Sequence, residues 1–194
     1  MKGGDSFSAM RTIFDRYPPL RGGFLYSSLP ILRVFLILYS MFHTTIVAVG
    51  KIRNSYFADA IDEYLKRIKP FAKVEIIEVA AVAFKTEGEI ERAREKEGEA
   101  LREAIMKRTG RAYLLDEGGK EFDSVGFHKF FTSSNEPLLL VIGGTAGLSE
   151  SLKSEYPALS LSRLTLPHEL ARVVLIEQLY RAVTMGQKRN KYHY

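Results

Sequence analysis

The run from Pro137 to Gly144, PLLLVIGG, constrains this chain more than any other segment. Its five central residues are all apolar, and a proline and two glycines bound them. A strand with no polar face is buried on both sides, as strands are inside a parallel sheet sandwiched between helices. The remaining chain must therefore supply helices for two faces.

It does so in alternation. Thr45–Val49 is a second apolar run, stopped by Gly50. Phe57, Ile61, Tyr64, Leu65 and Ile68 recur at helical spacing until Pro70. Lys73–Val79 reads as a strand. Glu87–Arg108 alternates in charge sign around a stripe of Ile90, Ala93, Leu101 and Ile105, a solvated amphipathic helix ending at Gly110. AYLLDEGGKEF predicts a third strand that ends in an acid and a glycine turn. Phe127, Phe130 and Phe131 mark a short helix, another follows Gly147, and a short strand around Ala158–Leu161 precedes a long helix from Pro167. The expected fold is α/β, a mostly parallel sheet with helices on both faces. Residues 41–194 show no repeat, linker or second domain.

The final helix carries Leu170, Val173, Val174, Leu175, Ile176, Leu179, Ala182 and Val183 over most of its circumference. Such a helix must be buried, and one sheet covers only one side of it. A second copy is the expected cover for the other side, so the chain is read as a homodimer. Arg172, Glu177, Gln178 and Arg181 are then buried and paired, or face a site near the interface.

The formal charge is +5, and residues 1–40 carry +3 of it through Lys2, Arg11, Arg16, Arg21 and Arg33 against Asp5 and Asp15. The C-terminal end is also basic, with Arg163, Arg172, Arg181, Lys188, Arg189 and Lys191 against Glu169 and Glu177. A cationic surface suits a phosphate-bearing partner, although a solvated tail has the same charge. There is no cysteine, which excludes disulfides and thiolate metal sites, and the four histidines show no metal-ligand spacing. No metal is expected.

Gly23–Phe42 is the most apolar stretch, but Pro30 and Arg33 interrupt it. Its unbroken part, Val34–Phe42, is far short of the roughly 20 residues that span a bilayer. Residues 1–40 are read as an extension, either disordered or the product of an upstream start, with Met41 opening directly on the first strand. A targeting segment and an amphipathic appendage are the alternatives; no membrane role is expected.

In parallel α/β sheets, ligands collect beyond the carboxyl ends of the strands. Three loops fall there: after Leu115, after Ile142 and after Leu161. The middle one, IGGTAGLSE, lets the backbone approach a ligand at Gly143, Gly144 and Gly147, although a tight strand-to-helix turn would use the same glycines. It is neither GxGxxG nor a P-loop. In the third, LSLSRLTLPHEL, Leu161 and Leu164 can wall a pocket while Ser162 or Thr165 meets a polar heterocycle edge. Pro167 stands where a helix begins, and His168 reads as a helix-start residue.

Together, LLDEGGKEFDS, LLLVIGGTAGLSE, LSLSRLTLPHELARVVLIEQLYRA and the closing YHY resemble the ribosomal RNA large subunit methyltransferase H family; IVAVGKI and KEGEAL agree with it. The resemblance covers residues 41–194 in order. It implies a SPOUT-type fold with a C-terminal trefoil knot, a cytoplasmic homodimer, and S-adenosyl-L-methionine as methyl donor. The implied substrate is a pseudouridine in 23S rRNA of the assembled 70S ribosome, methylated at N3. The implied donor site is Leu115, Gly143 and the run Leu161, Ser162, Arg163, Leu164, Thr165, Leu166. Thr145 and Ala146 stand where the family has proline and a larger residue, which implies altered loop stiffness with the site retained.

The required chemistry is an in-line displacement with loss of the N3 proton, so positioning, a base and an anion-stabilising cation are the expected contributions. His193 and Tyr192 in the tail, with Arg172 as the cation, are the candidate catalytic residues. Two rival functions stand beside this one: a SPOUT-type tRNA methyltransferase and a non-catalytic ribosome- or RNA-binding protein. The lack of an appended RNA-binding domain favours a structured surface such as a whole ribosome.

Overall fold

The computed structural model describes residues 43–134 and 136–185. Strands β1 (His43–Val49), β2 (Lys73–Val79), β3 (Arg111–Glu121), β4 (Leu138–Ile142) and β5 (Ala158–Ser160) form one sheet in the order β2-β1-β4-β3-β5. Every pairing between them is parallel. The apolar run that constrained the sequence is the central strand, and all five of its residues are buried.

Among the described residues, the helices are α1 (Ser55–Ile68), α2 (Glu87–Met106), α3 (Ser124–Ser133), α4 (Glu150–Glu155) and α5 (His168–Met185). Alternate residues of β4 reach opposite faces. Leu138, Leu140 and Ile142 pack with Ile61, Phe131, Leu175 and Ile176 beneath α1, α3 and α5. Leu139 and Val141 pack with Leu101, Ile105, Leu148 and Leu152 beneath α2 and α4. The expected α/β sandwich is thus present. Short polar side chains set two helix starts: Asp123 Oδ1 accepts the Gly126 N–H at 2.6 Å, and Ser149 Oγ accepts that of Leu152 at 3.3 Å.

The third strand differs from its expectation. It does not end at the acid and glycine turn. Leu115 pairs with Leu159, residues 116–119 bulge out, and pairing resumes when Lys120 meets the same Leu159 and Glu121 meets Ser160. Gly119 has no room for a side chain there, since a Cβ would lie 2.6 Å from the Leu159 carbonyl carbon. The bulge carries Asp116 and Glu117 out over the carboxyl edge of the sheet.

Because β3 lies between β4 and β5, the chain leaving β4 crosses it by way of α4 on one face. It then returns from β5 over the carboxyl edge to α5 on the other face. This path is consistent with the trefoil knot that the resemblance implies. Helix α5 buries Ala171, Arg172, Leu175, Ile176, Leu179, Ala182 and Val183, while Leu170, Val174, Glu177 and Gln178 form a half-exposed stripe. Truncating the middle of β4 should be the most damaging core change. Leu140→Ala is expected to destabilise the protein by about 2–5 kcal/mol in chemical denaturation; a loss below about 1 kcal/mol would contradict this account of the core.

Candidate functional site

The three strand-end loops converge on one cavity of about 610 Å³ at the carboxyl edge, a volume typical of small-molecule sites. Leu115 and Ile142 form its strand-side wall, and Leu161, Leu164 and Leu166 form the opposite one. Leu164 is 73% exposed, a large apolar side chain with no protein cover. Asp116 and Glu117 of the β3 bulge line the same space, as do His168 and Ala171 of α5.

Much of the hydroxyl chemistry of the third loop folds the loop itself. Ser160 Oγ donates to the Ser162 carbonyl at 2.9 Å, and Ser162 Oγ accepts the Leu164 N–H at 3.0 Å. Thr165 Oγ1 donates to Glu117 Oε2 at 3.1 Å, tying the loop to the bulge opposite. Arg163 points elsewhere. Its side chain is 84% exposed and its Nε reaches Glu121 at 3.0 Å.

In the glycine loop, Gly147 takes φ +81 and its N–H donates to the Gly144 carbonyl at 3.0 Å, closing a tight turn. A Cβ on Gly143 would lie 3.1 Å from both the Gly147 carbonyl carbon and Leu148 Cγ. These glycines are therefore needed by the turn, whatever the cavity holds. Thr145 lines the cavity, while Ala146 is buried and its carbonyl accepts Arg94 Nε at 2.8 Å.

Among the described residues, no lysine or arginine lines this cavity. Burial pulls the pKa of Asp116 upward, but Lys153 at 2.9 Å and the Gly118 N–H outweigh it, so the carboxylate stays ionised. His168 is depressed below the ordinary 6.5, by burial first and the charge of Arg172 second, and is neutral near pH 7. The lining is thus apolar with a negative edge, which suits a cationic ligand carrying a flat heterocycle.

Arg172 does not face this cavity. It is fully buried; Nη2 donates to the carbonyls of Val49 at 2.5 Å and Gly50 at 2.7 Å, and Nη1 to Glu78 at 3.0 Å. Beside it, Glu169 accepts the Arg53 and Asn54 N–H groups at 3.3 and 3.2 Å. These two residues tie α5 to the end of β1 and the residues after it, and these contacts engage the guanidinium that the sequence offered as a cation for the reacting base. Arg172 borders a second cleft with Lys51, Ile52 and Glu78. His193 and Tyr192 lie outside the described residues.

Of the eight expected donor-site residues, Leu115, Gly143, Leu161, Ser162, Leu164, Thr165 and Leu166 line one cavity, and Arg163 does not. The sequence reading missed Asp116, Glu117 and His168. The acid after Leu115 was the available signal, hidden by expecting the strand to stop there. Among the described residues, no group of three or more histidine or acidic side chains could hold a metal, and no helix is long and apolar enough to cross a membrane.

His168 gives a signed pH prediction. An unfolded chain takes up its proton near pH 6.5, before the folded protein does, so stability present above that pH is lost as pH falls below it. His168→Gln should flatten that part of the acid limb in denaturation measured from about pH 7 to about pH 5. A variant retaining the full wild-type slope would contradict the assignment.

Comparison with known proteins extends the geometry. The family model described as "Predicted SPOUT methyltransferase" matches residues 42–193. A curated relative from Anaeromyxobacter sp. (strain Fw109-5), named Ribosomal RNA large subunit methyltransferase H, is 44% identical over 144 residues, 72% of this chain and 92% of its own length. A solved Bacillus anthracis protein is 12% identical at TM-score 0.48, covering 77% of this chain and 99% of that one. TrmJ from Z. mobilis ZM4 is 9% identical at TM-score 0.46, covering 77% of this chain and 72% of that one. The two solved structures are distant, and the assignment rests on the sequence matches. On those matches, the chain belongs to the SPOUT methyltransferase family.

Proposed function

We propose that this methyltransferase transfers a methyl group from S-adenosyl-L-methionine to N3 of a pseudouridine in 23S rRNA, acting on the assembled ribosome. One observation carries the donor site: three strand-end loops, two of them expected from sequence to face the same ligand as Leu115, meet in a cavity of suitable size and charge. The relative's name supports an rRNA substrate. The donor supplies an electrophilic methyl on a sulfonium cation.

Leu115, Leu161, Leu164 and Leu166 would hold the adenine and exclude water. Backbone groups of Ser162, Arg163 and Thr165 would meet the adenine edge, and Gly143 would allow close approach from below. Glu117, held by Thr165, would place negative charge near the cationic end. Positioning of this kind supplies much of the rate of a displacement. The N3 proton would pass to a group in the tail, with His193 and Tyr192 as candidates. Arg172 would act only by keeping α5 seated against β1.

The half-exposed stripe Leu170, Val174, Glu177 and Gln178 is our proposed homodimer contact, in which a second copy covers the uncovered side of α5. A dimer would also let each tail reach its partner's cavity. We place the protein in the cytoplasm, with 70S ribosomes as its partner. The tRNA reading and the non-catalytic reading are excluded or revived by the same assay.

Labelled methyl transfer should appear with 70S ribosomes and not with free 23S rRNA or tRNA, and should map to a pseudouridine. Incorporation into tRNA would overturn the substrate. Deleting Tyr192–Tyr194 should preserve the fold and the dimer while impairing transfer; unchanged turnover would remove the tail from the site. Leu164→Asp, at an exposed cavity-lining position, should weaken S-adenosyl-L-methionine binding in calorimetry with the fold and oligomeric state unchanged, and unchanged binding would remove the cavity.

A further inference from the structure

The motif that the donor site leaves without a role is KEGEA (Lys96–Ala100), in the middle of α2. Glu97 is only 2% exposed, on a helix whose outer face is charged. A buried acid is unfavourable there unless something holds it. Its Oε1 accepts the Val82 N–H at 2.8 Å. Its Oε2 is buried and has no hydrogen-bond partner among the described residues.

That oxygen lies against the glycine loop. A Cβ on Gly144 would come within 2.7 Å of Glu97 Oε2, and Val49 Cγ1 closes the same space at 2.8 Å. One turn earlier on α2, Arg94 holds the Ala146 carbonyl of the same loop. The next residue, Gly98, has no side chain because Ser149 Oγ, just after the loop, fills the space. Three neighbouring positions of α2 therefore bear on residues 144–149.

We propose that Glu97 is a positioning residue of the methyl-donor site, wedged between the Val82 N–H and Gly144 so that it sets the height of the glycine loop beneath the donor. The inference rests on the reading of the cavity as the S-adenosyl-L-methionine site. Glu97 does not line the cavity, and it acts through Gly144, which does.

The residues set against the carboxyl from β1, from the segment before α2 and from the glycine loop are Val49, Val82 and Gly144, none of which titrates. One turn earlier on its own helix, Arg94 is engaged by Ala146 and Glu91. Burial raises the pKa of Glu97 and outweighs the Val82 hydrogen bond, which favours the neutral carboxyl. Ionisation would set an uncompensated charge against Gly144. Donor affinity should therefore fall as pH rises through the raised pKa.

The test compares full-length wild type, Glu97→Gln and Glu97→Ala by two readouts. One is calorimetric binding of S-adenosyl-L-methionine from about pH 4.5, the ordinary value of the carboxyl, to about pH 9. The other is hydrogen exchange of residues 143–148 without ligand. Glu97→Ala should weaken binding by about tenfold or more and speed exchange in the loop while β4 stays protected. Glu97→Gln keeps the Val82 acceptor and cannot ionise. It should bind like wild type at the acid end and lose the decline at the alkaline end.

Unchanged affinity and exchange in Glu97→Ala would overturn the proposal, as would matching pH profiles in wild type and Glu97→Gln. The glutamine arm keeps the test decisive if the alanine variant does not fold. Wild type that binds no donor would remove the reading of the cavity and this proposal with it. Wild type that binds, with both variants indifferent, would remove the proposal alone.

Discussion

Burial of β4 on both faces is the constraint on which the rest of this structure depends. Leu138–Ile142 sits between β1 and β3 with helices above and below, so no residue of it can be polar without loss. A strand so enclosed can present chemistry only at its end. It leaves the sheet at Gly143 and must turn at once; Gly147 and Leu148 crowd a side chain at 143, and Glu97 and Val49 leave no room for one at 144. The stability of the core and the shape of the cavity floor come from the same few residues.

The opposite wall arises from the return path. The chain passes from β5 to α5 across the carboxyl edge, and the residues between them fold on their own hydroxyls before meeting the β3 bulge through Thr165 and Glu117. Helix α5 is then secured at its start by Glu169, which accepts the Asn54 N–H, and by Arg172, which donates to the Val49 and Gly50 carbonyls at the end of β1. The buried arginine donates to two backbone carbonyls, and its lowered pKa reflects desolvation that Glu78 only partly offsets. The polar residues within an apolar helix thus divide: Arg172 seats it, and Glu177 with Arg181 lies on or beside the open stripe.

What could be read in the sequence was whatever follows from periodicity and local chemistry. The double-sided strand at 138–142, the helix at 87–106 and the strand at 73–79 carry their burial in their own residue order. The three loops could be found because a parallel sheet has one carboxyl edge. Long-range packing was not legible. Nothing local to DEGG says that pairing resumes at Lys120, and nothing in LARVV says that Arg172 turns toward Val49 and away from the cavity. Glu97 looked like one more charge on a solvated helix; its burial, the Val82 hydrogen bond and the approach of Gly144 distinguish it.

The central claim is that the loops after β3, β4 and β5 form the methyl-donor site. A crystal structure of the protein with S-adenosyl-L-methionine tests it most directly. The account predicts the adenine between Leu115 and the 161–166 loop, with Gly143 beneath the donor and the methyl directed toward the mouth of the cavity. A donor bound in the second cleft beside Lys51 and Glu78, or a cavity that stays empty at saturating donor, would contradict it.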